Sequence, residues 1–120
     1  MDAVAELEQP ELSRLEVERQ STIEELEHLG VEMRNMAEPS ADEADVDAYE
    51  REKTWALMQT LKRKVDSLDH AIRLAQLGTY GICEGCGGRI APARLEILPA
   101  ATLCLDCQRE FERRNRGTIH

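Results

Sequence analysis

Residues 83–88 read CEGCGG and residues 104–107 read CLDC. Each contains a Cys-x2-Cys pair, and the 17 residues between the pairs match the spacing of a four-cysteine zinc site. Tetrahedral coordination places ligand pairs on tight turns, and the interspersed glycines permit such turns. Because cysteine sulfur would fill every position, we predict one structural Zn2+ per chain and no catalytic metal. The predicted ligands are Cys83, Cys86, Cys104 and Cys107.

The choice of metal depends on the ligands and on the compartment. Iron in a rubredoxin-like site is the alternative, since four thiolates also bind iron. No N-terminal apolar segment precedes a cleavage site, and no run approaches the roughly 20 apolar residues of a membrane span. We therefore expect a cytoplasmic protein, where reducing conditions favour a metal site over disulfides. Three arginines near the cysteines would offset the negative charge of a four-thiolate centre: Arg89, Arg94 and Arg109.

Composition favours long helices over a broad core. The 120 residues are 42% hydrophobic and only 3% aromatic, and the net charge is −9. The segment 37–52 is strongly acidic, with seven acids against Arg51 alone. A chain this acidic, without a basic stripe interleaved with aromatics, is a poor candidate for binding nucleic acid directly. Its partner is expected to be a protein.

Two runs with 3-4 spacing of mainly apolar residues, which we call the seams, predict paired helices. The first seam is Leu12, Leu15, Arg19, Thr22, Leu26, Leu29, Met33 and Met36. The second is Met58, Leu61, Val65, Leu68, Ile72 and Ala75, extended back to Thr54 and Arg51. Both span the same length, so a turn between them would align them as an antiparallel hairpin.

Helix-stop and capping residues predict where the two helices begin and end. Pro39 would end the first helix, Ser40 with Glu43 forms a capping-box pattern for the second, and Gly78 would stop it. The predicted fold class is mainly α: a long antiparallel coiled-coil hairpin, a small four-cysteine zinc-finger module and a short C-terminal helix. The predicted boundaries are 1–78 for the hairpin with an acidic tip at about 37–48, 79–116 for the module with its helix, and 117–120 for a tail.

Residues 78–87, 90–96 and 98–107 together closely resemble the DksA/TraR family of zinc finger proteins. The resemblance implies a bacterial transcription regulator that binds RNA polymerase through its secondary channel and modulates initiation. It also implies a protein that acts without binding DNA itself. We further expect a protein that is not an enzyme, is a monomer and, lacking an apolar span, associates with no membrane.

The resemblance further assigns a role to the acidic tip. The family's tip motif is Asp-x-x-Asp-x-Ala, and residues 42–45 match its first four positions, whereas Asp47 stands where alanine is expected. The implied partner-binding residues at the tip are Asp42, Glu43, Asp45 and Asp47. The plainer interpretation is a solvated helix start, because acids there suit the helix dipole.

The resemblance also bears on the alarmone guanosine tetraphosphate, which DksA-like proteins help to bind. Recognition of phosphates calls for lysine or arginine. The basic positions of the family fall here on Leu98, Gln108 and Ser67, none of which is basic. We therefore expect action on RNA polymerase largely without the alarmone.

Two other functions stay open at this level. A cofactor of the Gre type, assisting transcript cleavage, would use the acids to help hold a catalytic metal, and Asp47 adds one acid. An adaptor would instead dock other proteins on its zinc module, and the acidic segment would be incidental.

Overall fold

The computed structural model describes residues 3–36 and 44–118, and four α-helices lie within these ranges. They are α1 (Ala3–Asn35), α2 (Ala44–Gln76), α3 (Pro92–Ile97) and α4 (Leu105–Thr118). An isolated antiparallel bridge joins Ile82 to Arg89. Across these described ranges no helix combines the length and apolar content that a bilayer crossing requires.

The chain divides into two compact units, and both long helices pass through both of them. The hairpin unit is Val17–Asp66. The cysteine unit takes in the described residues up to Glu16 and those from Ser67 onward.

In the hairpin unit, α1 and α2 run antiparallel. Near the start of the α1 portion, the Glu18 carboxylate lies 2.7 Å from Lys64 Nζ, late in the α2 portion. Just beyond the end of α1, the Met36 carbonyl accepts a hydrogen bond of 3.3 Å from Arg51, early in α2. Early residues of one helix therefore face late residues of the other, which is the predicted pairing.

The seams are the faces that the helices bury. Every position of both predicted seams is buried or half-buried. The polar member Thr22 is only 2% exposed, and its hydroxyl donates a 2.8 Å hydrogen bond to the Glu18 carbonyl one turn earlier in α1. The buried hydroxyl is thus satisfied within its own helix, which removes most of the penalty for placing a polar group there.

The cysteine unit has its own apolar core, built where α1 packs against the last part of α2. Its fully buried members are Leu15, Leu68, Ala71 and Ala75. Partly buried residues that pack against this cluster are Leu12, Ile72, Tyr80 and Ala100. Two of these, Tyr80 and Ala100, lie outside the long helices, so the core also includes the segments that flank the cysteines.

The end of α2 confirms the role predicted for Gly78. The helix ends at Gln76, and Gly78 has a positive φ of 81°. Its N–H bonds to the Ala75 carbonyl at 3.1 Å, and the N–H of Thr79 bonds to the Leu74 carbonyl at 2.8 Å. This pair of bonds is a Schellman motif, which satisfies the last carbonyls of the helix and needs a residue that tolerates positive φ.

Three features differ from the sequence-based expectation. The helix α1 begins at Ala3, upstream of its seam, and carries Pro10 inside it. The short helix α3 has no predicted counterpart, and α4, with 14 residues, is longer than the short C-terminal helix expected from the sequence. Seam spacing detects only the helical residues that meet a partner, so it cannot detect segments without a periodic apolar face.

The predicted fold class is confirmed: mainly α, with an antiparallel hairpin of two long helices, a four-cysteine module and a C-terminal helix. The predicted stop at Pro39 and the capping box of Ser40 and Glu43 lie outside the described residues.

Candidate metal centre

The first cysteine pair lies on a tight turn between Ile82 and Arg89, whose bridge closes the turn at its base. Inside it, the Cys83 N–H donates to the Gly88 carbonyl at 2.7 Å, and the Gly87 N–H donates to the Cys83 carbonyl at 2.9 Å. Gly87 has a φ of 78°. These backbone bonds close the loop and hold Cys83 and Cys86 on it.

The second pair is placed by the start of α4. Cys104 immediately precedes the helix, Cys107 lies in its first turn, and the Gln108 N–H donates to the Cys104 carbonyl at 2.9 Å. The preceding residue is held from α3, because Arg94 Nε donates a 3.1 Å hydrogen bond to the Leu103 carbonyl. One function of α3, which sequence analysis missed, is thus to fix the approach to the second pair.

The four sulfur atoms converge. All four Sγ atoms lie within 4.8 Å of one another, and those of Cys86 and Cys104 are 3.9 Å apart. A tetrahedron with Zn–S bonds of about 2.3 Å has edges of about 3.8 Å, so the observed spacing fits that ion. Each pair contributes two ligands from opposite sides, as the sequence spacing predicted.

Backbone N–H groups make one sulfur ready to ionise. The N–H groups of Cys104 and Gly85 each lie 3.3 Å from Cys83 Sγ. The bond from Cys104 is the main cause that lowers the pKa of the Cys83 thiol to about 6. By contrast, the hydrogen bond with the Cys104 side chain raises the pKa of Cys107 to about 12. Without a cation, the Cys83 thiol therefore ionises more readily than the Cys107 thiol.

A divalent cation between the sulfurs removes this conflict, because it stabilises every thiolate together. The geometry and the ligand chemistry both fit zinc, and the four cysteines form a structural Zn2+ site. With four protein sulfurs as ligands, the metal has no open position for water or substrate. Its contribution is to hold the turn at 82–89 against the start of α4.

Other contacts around the centre join residues far apart in sequence, and no local pattern signals them. The Tyr80 hydroxyl donates a 2.8 Å hydrogen bond to the Pro99 carbonyl. His70 Nε2, on α2, lies 2.8 Å from a carboxylate oxygen of Glu84, inside the first cysteine loop. Of the arginines expected near the metal, Arg94 makes the bond to the Leu103 carbonyl described above. The contact between His70 and Glu84 fastens the first cysteine loop to α2, and the bond from Tyr80 to Pro99 joins the segments that precede the two cysteine pairs.

The residues predicted for the acidic tip are only partly described. Asp42 and Glu43 lie outside the described residues. Asp45 and Asp47 lie in the first turn of α2, and only their backbone is described. The helix α2 thus starts within the acidic segment, at Ala44.

The structure describes all three positions that were considered for alarmone binding. Leu98, at the end of α3, is 48% exposed. Gln108 is half-buried on α4, where its amide donates to Glu112 at 3.1 Å. Ser67 is exposed on α2.

A hairpin of two long helices joined to a four-cysteine zinc module defines a class of helical zinc finger protein. Residues 78–113 match the family model described as prokaryotic dksA/traR C4-type zinc finger. The chain belongs to the DksA/TraR family of zinc finger proteins.

Individual relatives agree with this assignment. The chain is 35% identical over 95 residues to the RNA polymerase-binding transcription factor DksA of Caulobacter vibrioides, covering 78% of this chain and 64% of that protein. It is 28% identical over 104 residues to the protein of the same name from Escherichia coli, covering 85% and 69%. The structure of transcription factor DksA2 from Pseudomonas aeruginosa matches with a TM-score of 0.81 and 27% identity, over 96% of this chain and 91% of that one. The chain thus spans about two thirds of the length of these DksA sequences.

Proposed function

We propose that this chain is a bacterial transcription regulator that binds RNA polymerase and modulates initiation. The observation that carries the proposal is its likeness to the Caulobacter protein, whose name states polymerase binding and which matches over 78% of this chain. The likeness to DksA2 supports it, because it extends over both units of the structure rather than over the zinc module alone. The Gre-like and adaptor alternatives gain no support from these relatives.

The proposed mode of binding uses the hairpin. In this mode the hairpin unit enters the secondary channel of the polymerase, and the acidic segment, residues 37–52, enters first. This agrees with the charge distribution, since residues 37–52 hold seven acids and only Arg51 as a base. A concentrated negative charge at one end of a helical arm suits a site that holds cations. The proposed contact residues remain Asp42, Glu43, Asp45 and Asp47.

The zinc module has a supporting role in this proposal. All four zinc ligands are cysteines, so the metal is not available for substrate. The regulator therefore has no metal chemistry of its own. The proposal further places it in the cytoplasm as a monomer, and its net charge of −9 opposes direct binding to DNA.

The alarmone is not part of the proposed activity. Leu98 presents an apolar side chain where phosphate recognition calls for a cation, and the Gln108 amide is engaged with Glu112. In an initiation assay with polymerase that lacks its other alarmone site, guanosine tetraphosphate should leave the effect of this factor unchanged. Several-fold potentiation would contradict this part of the proposal.

The experiment that tests the proposed mode compares docking with effect. Replacing Asp42 and Asp45 by asparagine should weaken the effect on initiation far more than it weakens polymerase binding, because the acids act after the arm has docked. A control variant with Glu25→Gln and Asp66→Asn loses the same charge from exposed positions of the hairpin unit and should retain both properties. Equal loss of binding and effect in the tip variant would count against the proposal.

A further inference from the structure

Arg51 joins the two helices of the hairpin unit close to the point where the chain passes from one to the other. It lies in the second turn of α2, and its Nη2 donates a hydrogen bond of 3.3 Å to the carbonyl of Met36. Met36 is the first residue beyond α1, which ends at Asn35. The other link described above, between Glu18 and Lys64, lies at the opposite end of the unit.

A guanidinium suits this position for two reasons. The last carbonyls of a helix have no partner within the helix, and the C-terminal end carries partial negative charge. Arg51 supplies both a donor and a positive charge there, from the neighbouring helix. The bond therefore does for the end of α1 what a capping residue in α1 itself would otherwise do.

The side chain is partly buried, and its burial costs free energy. Arg51 Nε is buried and has no hydrogen-bond partner among the described residues. Leaving a buried donor unpaired is unfavourable, more so for a charged group. An apolar residue at this seam position would avoid that cost but would leave the Met36 carbonyl without this donor, so the arginine points to a requirement at the end of α1.

The surrounding sequence indicates what that requirement is. Arg51 is the only base in the segment 37–52, among seven acids. The acids Asp42 and Glu43 belong to the part of the chain that leaves the end of α1 and enters α2. In sequence, these acids lie between the two residues that the hydrogen bond joins, Met36 and Arg51.

We infer that Arg51 is a positioning residue: it fastens the end of α1 to the second turn of α2, so that the acidic segment is held at fixed entry and exit points. This inference rests on the proposed function, in which those acids act on the polymerase. Arg51 itself need not touch the polymerase for this role.

The test uses three variants of the full, zinc-loaded chain. Arg51→Met removes the donors and keeps an unbranched side chain, and Arg51→Lys keeps the charge with a single donor group. The control is Arg63→Met, since Arg63 is exposed and its guanidinium donates to Thr60 within α2. Polymerase affinity and the maximal effect on initiation at saturating factor are measured for each.

Arg51→Met should reduce the maximal effect about fivefold, which is the size expected from losing one such hydrogen bond, and should change the polymerase Kd less than about twofold. Arg51→Lys should recover part of the effect, and Arg63→Met should match the wild type. An unchanged maximal effect in Arg51→Met, or a loss of affinity in proportion to the loss of effect, would overturn the inference.

A second measurement does not depend on the polymerase. Amide hydrogen exchange in the last turn of α1, and at the Met36 N–H just beyond it that bonds to the Met33 carbonyl, should accelerate several-fold in Arg51→Met while amides near Glu18 stay unchanged. Unaltered exchange in that turn rejects the anchor itself. If the wild-type chain failed to bind polymerase, the proposed function would fail, and the exchange result would still decide whether Arg51 fixes the end of α1.

Discussion

At the scale of single residues, Gly85 shows how closely the metal site is packed. A Cβ at this position would lie 2.9 Å from Cys107 Sγ and 3.2 Å from Cys107 Cβ. The sulfur is a zinc ligand and cannot move without changing the coordination geometry. The first loop can therefore approach the second pair only because residue 85 has no side chain.

Gly85→Ala should weaken zinc binding by roughly tenfold or more, because altered ligand positioning commonly costs that much affinity. Gly88→Ala is the matched control: its Cβ would meet Cys86 Sγ at 3.5 Å, an ordinary contact, and its φ is not positive. Competition against a chelator of known affinity measures both. Equal affinities for the two variants would show that the close approach at Gly85 is unimportant.

At the scale of elements, the paired helices were the part of the structure most open to prediction from sequence. Seam spacing is a local pattern that records which face of a helix meets a partner, and both seams are buried or half-buried throughout. Gly78 was predictable for a similar reason, since a positive φ at a helix end favours glycine.

The remainder depended on contacts that local patterns do not record. The helix α3 has only six residues, too few for a periodic signal, and its Pro92 at the first position was the one local hint. The hydrogen bonds from Arg94 to Leu103, from Tyr80 to Pro99 and from Arg51 to Met36 became visible only when the fold brought the partners together. For the metal site, in contrast, spacing alone identified the four cysteines because two short motifs contain all the ligands.

The burial of the first seam also predicts how substitutions in α1 change the free energy of unfolding. Leu15 is fully buried against α2, whereas Val17 on the same helix is 68% exposed. Leu15→Ala should lower the free energy of unfolding by about 2–5 kcal/mol, through lost apolar burial and the cavity left behind. Val17→Ala should change it by no more than about 0.5 kcal/mol. Urea unfolding of both variants checks this, and similar values for the two would contradict the predicted packing of α1 in the cysteine unit.

At the scale of the whole molecule, two sources of stability act on different parts of the chain. The long helices bury seams along their length. The segment after Gly78 depends on zinc, on a few hydrogen bonds and on the packing of Tyr80 and Ala100 against the apolar core. The small aromatic content, 3%, leaves little else to stabilise that segment. Metal binding and folding should therefore be coupled there.

Zinc removal tests this division. The purified chain should contain one zinc per molecule, and chelation or Cys83→Ser should unfold residues 79–110. Most of the helical circular dichroism should persist, since α1 and α2 have 33 residues each against 6 and 14 in α3 and α4. Iron in fresh, reduced protein would contradict the assignment of the metal, and loss of nearly all helical signal would show that the hairpin depends on zinc as well.

The proposed function requires that this chain bind RNA polymerase. The most direct measurement is equilibrium binding of the zinc-loaded chain to immobilised polymerase from its source organism, followed by competition with the Caulobacter relative. We expect saturable binding that the relative displaces, because the two proteins are 35% identical over 78% of this chain. No saturable binding at concentrations where the relative binds, or binding that the relative leaves untouched, would contradict it.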